Sequence, residues 1–96
     1  MSDVLTKAIT ALSAKMDGED FDGSAKFVIT DEGAIIIDGS GVHAGDEDTD
    51  VTLTATADVF VAILEGDQNP TSAFMSGQLS VDGDMGTAMK LAGIIG

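Results

Sequence analysis

Seventeen acidic side chains, one histidine and no cysteine are what this 96-residue chain offers for chemistry. Many of the acids fall in two loops. "DEDTD" at 46–50 suggests a calcium loop, yet an EF-hand needs Gly at its sixth position and a bidentate Glu at its twelfth. Counted from Asp46, those positions hold Val51 and Ala57. "DGEDFDG" at 17–23 fails too: with Asp20 and Asp22 in the third and fifth places, the first is Gly18 and the twelfth is Ile29. Both stretches read as solvated acidic loops. His43 lacks a cysteine to share a metal with, and Ser40 is its only nucleophile nearby in sequence, on a turn. It reads as an exposed or edge-strand histidine. The pair Asp82 and Asp84 suits acid–base work in principle, but Asp84 is better placed as a helix cap and Asp82 as a strand-end turn residue. "DGDMGTAMK" at 82–90 has one GxxG, and its acids would repel a phosphate. No catalytic, metal-binding or cofactor-binding constellation remains, so no enzyme activity and no cofactor are expected.

The charge balance narrows the partners. Four Lys and no Arg face 17 acids, for a net charge of -13. Nucleic acid is excluded as a partner, because its binding rests on cations that neutralise phosphates. Attraction to anionic lipid surfaces is disfavoured for the same reason. The acid excess reads as a solubility device suited to a salty medium, with an acidic recognition face as the rival reading. The start, "MSDVLTKAITALSAKMDGED", lacks the basic and apolar regions of a signal peptide, and no run approaches 18 apolar residues. A cytoplasmic protein with one domain spanning residues 1–96 is expected.

The elements follow from periodicity. Val4, Leu5, Ala8, Ile9, Leu12 and Met16 share one face of a first helix, capped by Ser2, favoured at its end by Lys15 and stopped by Gly18. "SAKFVIT", "AIIIDG", "GVHAG" and "VTLTAT" alternate as strands, with a hairpin turn at "DEG" (31–33). Asp58 is the expected cap of "VFVAILEG", whose Phe60, Ile63 and Leu64 share a face and whose Gly66 ends it. Asn69-Pro70 opens a short helix through Met75, closed by Gly77. "QLSVDG" is a short strand with Leu79 and Val81 inward, and Asp84 caps a last helix. The pattern is α+β. In the last helix Met85, Ala88, Met89 and Ala92 form one stripe and Leu91 and Ile95 another, with Ile94 between them. Beyond Thr87 and Lys90 it has no polar face, which is unusual on a small domain. Such a stripe is ordinary core or an adaptable apolar binding surface.

"NPTSAFMSGQLSVDGDMGTAMKL" (69–91) resembles the signature of the sterol carrier protein type 2 family: N-P, then S-A-F, a glycine turn, a short strand and G-x-M-G-x-A-M-K-L. "AKFVITDEGAIIIDGSG" and "TDVTLTATADVFVAILEGDQNP" are similar to the family's sheet and middle helix, so the resemblance covers about residues 20–93. It implies a five-stranded mixed sheet covered on one face by helices, with an apolar tunnel between the layers. It further implies a non-enzymatic carrier of one lipid: a fatty acid, fatty acyl-CoA, sterol or phospholipid. On that basis Phe60, Ile63, Leu64, Phe74, Met75, Leu79, Met85, Ala88, Met89 and Ala92 are the expected tunnel wall or lid. Gln78 stands where the family's usual basic residue follows the signature glycine, and the chain ends Ile94-Ile95-Gly96 without a peroxisomal tripeptide. A stand-alone, bacterial-type carrier is expected, monomeric or weakly dimeric, with at most weak and transient membrane contact. The competing expectation is an interaction module that docks or dimerises through the apolar last helix.

Overall fold

Alternation decides the sheet. The computed structural model describes residues 3–19 and 21–95; the cap expected at Ser2 and the Asp20 carboxylate lie outside them. Strands β1 (Ser24–Ile29), β2 (Gly33–Asp38), β3 (Gly41–Ala44), β4 (Val51–Ala55) and β5 (Ser80–Gly83) form one five-stranded sheet in the order β3-β2-β1-β4-β5. β1 pairs antiparallel with β2 and parallel with β4, so the sheet is mixed. Register aligns Ala25, Phe27 and Ile29 with Val51, Leu53 and Ala55, and places Ile35 and Ile37 beside Phe27 and Ala25. All eight are buried, because these alternate positions share the face that the helices cover.

The helices are α1 (Asp3–Met16), α2 (Ala57–Glu65), α3 (Pro70–Met75) and α4 (Met85–Ile95). α1 packs over β2 and β3, while α4 lies over β1, β4 and β5 and touches α1 and α3. α1 buries Leu5, Ala8 and Leu12, as its periodicity requires. α2 buries Phe60 and Ile63; the Phe60 ring meets Phe27 at a centroid distance of 4.7 Å and an interplanar angle of 59°. This tilted contact ties the helix layer to the central strand.

Two local expectations change, and the acidic loop at 46–50, with its acids exposed as expected, gains a role. Thr56, not Asp58, caps α2: it leaves the strand in extended geometry, and its hydroxyl accepts the Val59 N–H at 3.3 Å. Asp58 sits in the first turn instead, where its charge suits the helix dipole. Leu79 precedes β5 and yet is buried, since its N–H donates to the Ala73 carbonyl at 3.1 Å and folds it under α3. The "DEDTD" loop is a strap. From β3 it must pass β2 and β1 to reach β4, and it does so across the face opposite the helices. Asp46 pairs with Lys26 at 2.9 Å, and Asp50 accepts the Ser24 N–H at 3.0 Å. Beneath it Ile36, on that outer face, is buried.

Asp84 caps α4 as expected, accepting the Gly86 N–H at 2.9 Å and the Thr87 hydroxyl at 3.0 Å. Gly83 makes that position reachable. Its φ is 115°, and a Cβ there would lie 2.5 Å from the Asp50 carbonyl oxygen. Gly83→Ala should therefore cost about 1–3 kcal/mol, through a strained φ and forced separation of β5 from β4. An unchanged urea midpoint would show that the strand end absorbs the methyl group.

Candidate functional site

The apolar residues of the signature stretch meet where α3, β5 and α4 converge. Pro70, Thr71 and Phe74 come from α3, Leu79 and Val81 from the next segment, and Met85, Ala88, Met89 and Ala92 from α4, with Leu53 of β4 as the floor. Local sequence explains each placement. Asn69 caps α3 by accepting the Thr71 and Ser72 N–H groups at 2.8 and 3.2 Å, and Pro70 fits the first helical position, where no N–H is needed. Asp84 sets the start of α4, which buries Ala88, Leu91 and Ile95. Met85 and Met89 are thereby turned outward, 42% and 55% exposed. No charged side chain lines this cleft. Its free volume is about 20 Å³, against the roughly 300–1,000 Å³ of ordinary ligand pockets. The walls are in contact, and α4 is packed down.

Of the ten residues expected at a tunnel, Phe74, Leu79, Met85, Ala88, Met89 and Ala92 line this cleft. The other four lie elsewhere. Phe60 and Ile63 are fully buried in the core between α2 and the sheet. Leu64 lines a separate groove of about 360 Å³ between α1 and α2, with Val4, Lys7, Ala8, Ala11, Val61 and Glu65. Met75 is 81% exposed, outside the cleft lining. Sequence reasoning missed Leu53, Val81, Pro70 and Thr71 as cleft residues. The inward alternation of Leu53 and Val81 was the available signal for two of them. It also missed the α1–α2 groove, which Val61 marks as an apolar residue off the buried face of α2.

The polar candidates are occupied by structure. Ser40 donates its hydroxyl to Asp38 at 2.6 Å, not to His43. That bond, with the Ser40 N–H, holds the Asp38 carboxyl below its ordinary range, as expected for a turn staple. His43 lies 3.2 Å from Glu47 on the outer face of the sheet. Asp82 pairs across to Thr52 in the sheet while Asp84 caps α4, so the two carboxylates serve different elements. Among the described residues no three His, Asp or Glu side chains converge on a point that would hold a metal ion.

Residues 4–96 match the SCP-2 sterol transfer family. The chain belongs to that family. Its relatives include human hydroxysteroid dehydrogenase-like protein 2, 34% identical over 93 residues, covering 95% of this chain and 21% of that protein. Human sterol carrier protein 2 is 43% identical over 53 residues, covering 55% of this chain and 10% of that protein. The chain thus spans a small fraction of the length of the curated relatives it matches. Among solved structures, the sterol carrier protein domain 2 of Helicoverpa armigera superposes with a TM-score of 0.78 at 29% identity, covering 95% of this chain and 84% of that one. Sterol carrier protein 2 of Aedes aegypti, solved with palmitate, gives 0.80 at 22% identity over 99% and 96%. The SCP-2 fold accounts for the mixed sheet with helices on one face. Eight of the ten residues that line the cleft between α3, β5 and α4 fall within residues 69–91; Leu53 and Ala92 complete it.

Proposed function

We propose that this SCP-2 chain is a non-enzymatic carrier that holds one lipid in the α3–β5–α4 cleft after α4 lifts. The observation that carries this reading is the cleft lining: ten side chains from four elements and the α3–β5 connection, none of them charged. Gly86 and Gly93 lower the helical stability of α4 by roughly 0.5–1 kcal/mol each relative to Ala, so α4 is the wall that yields. Met85 and Met89 adapt to an irregular alkyl chain. The Aedes aegypti relative holds a C16 fatty acid. Transfer of such a chain's methylenes at about 0.8 kcal/mol each gives roughly 11 kcal/mol. Association and ordering remove at least about 4, leaving micromolar binding within reach. The net charge of -13 disfavours polyanionic acyl-CoA and favours uncharged or singly charged lipids.

Purified protein, denatured and extracted with solvent, should release lipid in near-stoichiometric amount by mass spectrometry. An empty protein that also fails to take up added fatty acid would overturn the carrier reading. If it also dimerised through α4, the interaction-module reading would replace it, because half-exposed Met89 suits a helix-docking face as well.

A further inference from the structure

Among the described residues five large apolar side chains are exposed, and four of them, Phe74, Met75, Met85 and Met89, belong to α3 and α4, which pack side by side. The fifth, Val61, is on α2. Charge is distributed in the opposite sense. Residues 1–67 carry 15 acids against three lysines, a net of -12, while residues 68–96 carry only Asp82, Asp84 and Lys90, a net of -1. α3 has no charged residue at all, and α4 has only Lys90, which lies 3.6 Å from Asp22. The two helices that expose thioethers and a phenyl ring therefore carry one charged residue between them, with the exposed Asp82 and Asp84 just before α4, on a strongly anionic molecule.

We propose that this α3–α4 face docks onto the uncharged, zwitterionic surface of a lipid bilayer, with Met75 and Phe74 entering the interface. Charge selects the occupant. Two copies of a chain at -13 repel each other, and an anionic leaflet repels the same field. A zwitterionic interface carries no net charge to resist the approach, and it accepts apolar side chains from a helix lying in its plane. Docked this way, the cleft between Phe74 and Met89 faces the place where lipid is found. The inference rests on the carrier reading for its purpose, while its geometry and its test stand apart from that reading.

Met75→Glu is the discriminating variant, because Met75 is 81% exposed and does not line the cleft. Ala14→Glu places the same added charge on an exposed position of α1 and serves as the control. Flotation of the full chain with phosphatidylcholine vesicles should show weak, measurable association of the wild type. It should fall about tenfold or more in Met75→Glu and stay within twofold in Ala14→Glu, with the melting temperature of both unchanged. Vesicles containing phosphatidylserine should bind less than neutral ones. Equal losses in both variants, preference for anionic vesicles, or no association with neutral vesicles would overturn the proposal. So would a wild-type dimer, seen by sedimentation, that Met75→Glu dissociates, since a second copy would then occupy the face. Should extraction and uptake both find no lipid, a Met75-dependent association with neutral vesicles would still support docking while the carrier reading fell.

Discussion

Phe60→Ala should lower the unfolding free energy by about 3–5 kcal/mol, a large part of the roughly 5–15 kcal/mol available to a small domain. The ring is fully buried, and its contact with Phe27 at 4.7 Å is the aromatic joint between α2 and β1. Truncation removes the transferred apolar area, leaves a cavity between helix and sheet, and ends a ring–ring contact worth about 0.5–1.5 kcal/mol beyond its area. The experiment also tests the placement of Phe60 in core and not at a lipid. A ring that lined a lipid-filled space would leave room that lipid already fills, so its loss would be small and would vary with added fatty acid. Urea denaturation of delipidated protein reads the difference. A loss under about 1 kcal/mol would return Phe60 to the binding surface.

Met89→Trp should leave stability within about 1 kcal/mol of the parent and reduce fatty-acid affinity at least tenfold. Met89 is half exposed on α4 and lines the cleft, so an indole there has solvent on one side and the cleft mouth on the other. Overpacking a closed core costs about 1–3 kcal/mol; a side chain at an open rim avoids most of that by turning outward. The ring then competes for the apolar walls that an alkyl chain would use. The chain has no native Trp or Tyr, so the new indole reports alone, and its emission should shift as fatty acid is titrated in. Unaltered affinity together with a silent indole would remove cargo from this cleft. The α1–α2 groove of about 360 Å³, rimmed by Lys7 and Glu65, would then be the place to look.

Much of the fold was legible because its signals are local. Ala25, Phe27 and Ile29 against Val51, Leu53 and Ala55 alternate cleanly, and a strand with one buried face must do so. The start of α2 was misplaced by two residues because Thr56 extends the Thr alternation of β4 and looks like strand until its hydroxyl is seen capping Val59. In α4 the Met85–Met89 stripe was visible, but its direction was not: a helix apolar nearly all round offers no periodicity to say which face turns inward. Periodicity also does not tell core from binding surface for Phe60 and Ile63, which lie between α2 and the sheet and outside the cleft lining. A chain this short has few large side chains, and the contact between α2 and the sheet requires these two. Whether a cleft is open or closed depends on how side chains from four elements interlock, and no spacing rule encodes that. The strap at 45–50 was equally hidden, since its path follows from β3 and β4 lying on opposite sides of the β1–β2 pair.

The exposed thioethers of α3 and α4 carry a chemical consequence. With no cysteine in the chain, methionine holds all of its sulfur, and three of the five methionines, Met75, Met85 and Met89, are exposed on α3 and α4. Peroxide converts such a side chain to the sulfoxide, which is polar, chiral and restored only by dedicated reductases. Three added S=O dipoles would give this face strong hydrogen-bond acceptors in place of weakly accepting thioethers, and water would wet the rim that now sheds it. The apolar character of the site is thus conditional on redox state, and it can be lost without any change in sequence or in the buried core.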